Sequence, residues 1–186
     1  GMKHTALAFN LSPLSEDAFT LGAEIGRAFP NATLFRIDAR PVHEHGGTEA
    51  QEIATLLRDG VTAMRACEKA EIAPQDFPRR TLFTLAVGPD TIVEVAKLRA
   101  ARLVWARVLG ACGVKAPIKL QAVTGRRMMT KRDAWTNLLR VTAAGFAAGV
   151  GGADIVITLP RTEALGAPTE FSRRLARNTQ ILLLEE

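Results

Sequence analysis

Short apolar runs alternate with longer helical patterns five times along this 186-residue chain. That alternation limits the possible folds more than any single motif. Residues 5–11 (TALAFNL), 32–39 (ATLFRIDA), 81–87 (TLFTLAV), 118–123 (IKLQAV) and 154–159 (DIVITL) have the length and apolar content of buried strands. After the first run, Ser15 reads as a helix cap with Glu16 and Asp17 in the first turn, and Ala18, Leu21, Gly22, Ile25 and Phe29 share a face. After the second, Thr48 with Gln51 three residues on is a capping box, followed by the stripe Ile53, Leu56, Leu57, Gly60, Met64 and Cys67. A helix over 91–111 lines up Ile92, Ala96, Leu103 and Ala106, with Arg99 in mid-stripe, where it needs a partner if buried. Asp133 caps a fourth helix that runs into GVGG at 149–152, and a last one starts near Pro168 and Thr169 with Phe171, Leu175 and Leu182 on one side. Strict alternation predicts a parallel sheet with right-handed crossovers. Units of about 35–40 residues suit a (β/α)8 barrel or a doubly wound sheet. Five strands do not close an eight-stranded barrel. No Pro- or Ser-rich linker divides the chain, so residues 1–186 read as a single α/β domain.

Composition removes several function classes. Apolar residues make up 47% and charged residues 23%, ordinary for a globular domain. No stretch reaches the ~18 uninterrupted apolar residues of a membrane span. The weakly apolar run at 141–153 is mostly Ala and Gly and stops at Asp154. The net charge of +5 is modest, and no basic run interleaves with aromatics, which argues against a nucleic-acid partner. The two cysteines, Cys67 and Cys112, form no CxxC pair. With no visible signal peptide, they point to a reduced, cytoplasmic setting.

Two loops carry residues with chemical potential. RPVHEHGG (40–47) puts His43, Glu44 and His45 between the second strand and its helix, on the carboxyl side of the sheet, where α/β folds bind ligands. A metal there needs a third ligand from elsewhere, and the one other histidine, His4, lies in the N-terminal tail, so no metal is expected. Glu44 is a conceivable general acid without a second carboxylate in its motif. TGRRMMTKRD (124–133) gathers Arg126, Arg127, Lys131 and Arg132, either a phosphate-binding cluster or a solvated basic loop. GVGGAD precedes a strand, whereas a phosphate cradle precedes a helix.

Residues 95–108 (VAKLRAARLVWARV), 126–154 (RRMMTKRDAWTNLLRVTAAGFAAGVGGAD) and 163–186 (EALGAPTEFSRRLARNTQILLLEE) resemble the methylmalonyl-CoA mutase family. The likeness runs over about 34–186, and PTEFSRRLARNTQ is its most specific stretch. It implies that the five β-α units are part of a TIM barrel binding acyl-CoA. It also implies a radical, adenosylcobalamin-dependent rearrangement of methylmalonyl-CoA to succinyl-CoA, with the cobalamin held on a separate domain.

The departures from the catalytic pattern shape the expected role. Catalytic members read Y-H-M-Q-E-A-G where this chain has Arg40-Pro41-Val42-His43-Glu44-His45-Gly46, which puts Pro41 at the substrate-contacting histidine. They read T-H-S-Q-T-S-G-W where it has Leu120-Gln121-Ala122-Val123-Thr124-Gly125-Arg126-Arg127, and H-T-N-A-L-D-E-A-L over 157–165, where Arg161 follows Pro160. Polar groups replaced by apolar ones at inward strand positions describe a filled barrel. The pattern is more similar to the family's small, non-catalytic subunit. The resemblance therefore implies no catalytic residue, with His43 and Glu44 as the weak candidates, and a chain inactive on its own. It implies no cobalamin bound here, and as partner a catalytic large mutase subunit or a second copy, since open sheet edges and apolar surface call for cover. Two alternatives remain. One is a segment of a catalytic mutase. The other is an acyl-CoA or phosphate binder using Arg126, Arg127, Lys131 and Arg161. Gln121 and Thr124 are further weak substrate-binding candidates.

Overall fold

The computed structural model describes residues 8–11 and 16–185. Its strands are β1 (Ala8–Leu11), β2 (Thr33–Asp38), β3 (Thr81–Val87), β4 (Lys119–Thr124) and β5 (Ile155–Ile157). They form one parallel sheet in the order β1-β2-β3-β4-β5. The order never reverses, so the sheet is singly wound and the doubly wound alternative is out. With crossovers of one hand, the intervening helices fall on one face. These are α1 (Glu16–Ala28), α3 (Glu49–Lys69), α5 (Thr91–Ala111), α6 (Ala134–Val150) and α7 (Glu170–Glu185), each packed on the next in chain order. Two short helices were not anticipated: α2 (Arg40–Glu44) after β2 and α4 (Phe77–Arg80) before β3. Each has a proline in its first turn, where a fixed φ and a missing N–H cost nothing.

The predicted caps hold where they can be compared. Thr48 Oγ1 accepts from Gln51 N, Gln51 Oε1 accepts from Thr48 N, and Asp133 Oδ1 accepts from Trp135 N. The Ser15 cap and the first residues of the predicted 5–11 strand lie outside the described residues. So does His4.

The core lies between the sheet and the helix layer. Phe83 on β3 meets Trp105 on α5 with ring centroids 4.6 Å apart, and Phe77 approaches both. Gly60 on α3 makes room for them: a Cβ there would stand 2.2 Å from Trp105 Cζ2. Cys67 is buried in this core, and burial pushes its thiol up to about 12 although Arg80 opposes the shift, so it packs as an inert small hydrophobe.

Two predicted apolar stripes face the other way. On α5 the buried face is Glu94, Lys97, Leu98, Ala101, Trp105 and Leu109, while Ile92 is 82% and Leu103 65% exposed. Both sides of α5 carry apolar residues, and the choice falls to Trp105, which fills the space over Gly60, and to an ionic cluster that draws Glu94 and Lys97 inward. Arg99 is exposed and donates to the Val150 carbonyl, so its position needs no buried partner. On α7 the buried residues are Ser172, Ala176 and Thr179, with Phe171 and Leu182 outside. On α1, Ala18, Gly22 and Ile25 turn inward as expected, but Phe19, stacked on Phe35, takes the place expected for Leu21.

Candidate functional site

The candidate residues gather at the carboxyl ends of β2, β3 and β4. β2 ends at Asp38, whose carboxylate accepts from Arg36 and from the backbone and guanidinium of Arg40. Burial alone would raise the Asp38 carboxyl, but the hydrogen bonds and charge of Arg40, helped by Arg36, hold it below the ordinary carboxylate range. That clamp turns the chain into α2.

His43 projects from α2 into the protein, 3% exposed, instead of lying on an open rim loop as the sequence suggests. Its imidazole is lodged against two glycines that immediately follow strands. A Cβ on Gly125 would stand 2.6 Å from His43 Nε2, and one on Gly88 would lie 3.9 Å from Cε1. Burial, then the Lys97 and Arg127 charges, push its pKa down to about 4, so the ring is neutral at pH 7.

Beneath His43, with Nδ1 3.9 Å from Glu52 Oε2, lies a buried ionic cluster that pattern reading missed. Lys97 Nζ donates to Glu52 Oε2 (3.0 Å) and to the Ala86 carbonyl (2.8 Å), and it pairs with Glu94 Oε2 at 2.6 Å. Glu52 Oε1 accepts from Ala86 N, and Glu94 Oε1 accepts from Gly88 N. The cluster fastens α3 and α5 to the end of β3. Burial pushes the Glu52 carboxyl up, with Lys97 opposing. A sequence signal existed: Glu52 lies on the stripe of Leu56, Gly60, Ala63 and Cys67, all buried.

Glu44 joins two loops. Its carboxylate accepts from Arg126 N at 2.8 Å and Arg127 N at 2.9 Å. Arg127 Nη1 donates to the carbonyls of His43 and Gly47, and Arg126 pairs with Glu163 at 2.9 Å. The structure thus brings His43, Glu44, Arg126 and Arg127 together, bonded mainly to one another and to backbone. His45 is exposed, with Nδ1 2.6 Å from the Pro41 carbonyl. Among the described residues, no group of three His, Cys, Asp or Glu side chains is placed to hold a metal ion.

Comparison with known proteins gives this arrangement its context. The methylmalonyl-CoA mutase family profile matches residues 6–186. The methylmalonyl-CoA mutase small subunit of Streptomyces virginiae is 44% identical over 163 residues, 87% of this chain and 26% of the relative. A probable small subunit of Mycobacterium tuberculosis is 41% identical over 158 residues, 81% of this chain and 26% of the relative. The methylmalonyl-CoA mutase of Escherichia coli is 34% identical over 161 residues, 84% of this chain and 22% of the relative. This chain belongs to the methylmalonyl-CoA mutase family.

It spans about a quarter of the length of those relatives. Within this mutase-family chain the remaining candidates separate. Gln121 sits in a row across the sheet, Asp38, Thr84, Gln121 and Ile155, on the face away from the helices. Its Oε1 accepts from Thr84 Oγ1 at 3.2 Å, with both side chains buried. Thr124 Oγ1 accepts from Leu159 N, so it anchors the segment that follows β5. Arg161 stacks its guanidinium 3.7 Å over the Trp135 ring, and Lys131 is exposed in the basic loop.

Proposed function

We propose that this chain is a small-subunit-like, non-catalytic member of the mutase family that stabilises a catalytic partner. The observation that carries the reading is the engagement of the candidate side chains within the fold. Glu44 holds the backbone of the 126–127 loop, Arg126 is paired with Glu163, and Arg127 is bonded to two carbonyls. His43 is a neutral wedge between strand-end glycines. A site that stabilises a transition state needs donors aimed at where substrate charge develops, and these donors are aimed at the protein itself. The identities of 41–44% to chains named as small subunits support the same reading.

The singly wound order of five parallel strands, with its helices in one layer, is the architecture of an arc of a (β/α)8 barrel, and we take the sheet as such an arc. The resemblance brings adenosylcobalamin to the parent reaction. The residues here do not fit it: His43 is closed off by Gly125, and the exposed His45 keeps Nδ1 on the Pro41 carbonyl. The cofactor's place, like the acyl-CoA site, belongs on the partner, and the shared compartment is the cytoplasm.

Co-expression with a catalytic large mutase subunit tests the reading. Co-purification as a stoichiometric complex, with the large subunit's thermal stability raised, is the expected outcome. Two species that separate on gel filtration, with the large subunit unchanged, would end it.

A further inference from the structure

We propose that the outer face of α5 and α6 is a docking surface for an amphipathic helix that carries acidic residues beside its apolar stripe. The stripe that the sequence points inward on α5, Ile92, Ala96 and Leu103, lies on the surface. Its neighbour α6 does the same with Trp135 (57% exposed), Leu139 (73%), Phe146 (49%) and Val150 (47%). These four recur at intervals of four, seven and four residues, opposite the buried Val141, Ala144 and Ala148. Rising 1.5 Å per residue, the two stripes run for about 16 and 22 Å. The helices pack on each other, which sets their axes about 8–10 Å apart and merges the stripes into one surface. A three- to four-turn helix matches that length. Apolar surface of this extent, with only the Arg161 guanidinium over Trp135 to cover part of it, marks an interface.

Charge selects the occupant. α5 and α6 together contain one acidic residue, Glu94, and it is buried against Lys97. The charges on the face are the guanidiniums of Arg99 and Arg107, together with that of Arg161, which lies over the Trp135 ring; among the described residues neither Arg99 nor Arg107 is paired with a carboxylate. A second copy docked face to face would set arginine against arginine, because the nearest carboxylates, Asp90 and Asp133, are held by the N-caps of α5 and α6. A helix with Glu or Asp flanking its apolar stripe supplies those acids and covers the stripe. This deepens the partner-stabilising reading by naming the face and the chemistry of its partner, and it rests on that reading for the partner's existence.

The test uses the whole chain and a synthetic 18-residue helical peptide with leucines at heptad spacing and flanking glutamates, beside a twin with lysines for the glutamates. Trp135 lies on the face while Trp105 is fully buried, so covering the face moves Trp135 emission to the blue. We expect saturable binding of the glutamate peptide with that blue shift, and binding of the lysine peptide weaker by about tenfold or more, the scale of a charge reversal beside a desolvated pair. The double variant Arg99→Glu/Arg107→Glu should invert the preference, and Leu139→Asp, at an exposed site that leaves the far-ultraviolet circular dichroism intact, should abolish binding. Equal binding of both peptides would overturn the proposal. So would preferential co-sedimentation with phosphatidylserine vesicles, or a concentration-dependent dimer that Leu139→Asp disperses. If the peptide binds as expected but no large subunit co-purifies, the scaffold reading falls and the surface stands. If a complex forms and Leu139→Asp leaves it intact, the surface falls and the scaffold reading stands.

Discussion

At the scale of residues, the strand-end glycines and the Glu44 carboxylate determine what the site can do. Gly125→Ala places a methyl 2.6 Å from His43 Nε2. We expect the imidazole to be displaced at a cost of about 1–3 kcal/mol, typical of overpacking, measured by urea denaturation. Glu44→Ala leaves Arg126 N and Arg127 N without their carboxylate and should cost about 2 kcal/mol by the same measurement. His43 gives the pH dependence a sign. Its folded pKa near 4 lies below that of the unfolded chain, so the unfolded state binds the proton first as pH falls. The stability tied to the neutral ring is full above about pH 6.5 and is lost toward pH 4, at roughly 1.4 kcal/mol per pH unit in that window. Glu52, whose pKa is raised, contributes the opposite sign, so the comparison must be with His43→Gln, which should flatten this part of the profile. An unchanged profile would remove His43 from its assigned environment. The capping residues at Thr48 and Asp133 were legible in the sequence because capping is local chemistry. The burial of His43 was not, since it depends on Gly88 and Gly125 in two other strand-end loops.

At the scale of elements, α3, α5 and β3 are joined by the Glu52–Lys97–Glu94 cluster on one side and by Trp105 over Gly60 on the other. Lys97→Met leaves two carboxylates buried without their cation and should cost about 3–5 kcal/mol in chemical denaturation. The triple variant Glu52→Gln/Lys97→Met/Glu94→Gln, which removes all the charge, should lose less. A triple variant as unstable as the single one would show that packing, not charge, is at stake. The same cluster explains why α5 reads inside out. Charged residues in an amphipathic pattern mark a solvent face by default, and the aliphatic Ile92 and Leu103 mark a core. Here three buried ionisable groups pair with one another and with the backbone of Ala86 and Gly88, and the core face instead follows Trp105. Strand positions, by contrast, were largely legible, with 81–87 and the helix at 91–111 found as expected, because short apolar runs between turn residues leave few alternatives.

At the scale of the whole molecule, the singly wound sheet positions the site and leaves the apolar surface of α5 and α6 outward. The parts of the fold set by alternation were visible in the sequence. The parts set by long-range pairing, such as the Glu44 bridge to the 126–127 loop, were not, because more than eighty residues separate the partners. A scaffold role requires that these contacts serve stability and not turnover. The most direct measurement is mutase turnover per assembled complex, with the chain carrying Glu44→Ala or His43→Gln beside the unaltered chain, read together with complex stability. We expect the melting temperature to fall and turnover per complex to stay the same. Turnover lost while the melting temperature is unchanged would contradict the non-catalytic role and place these side chains in the chemistry.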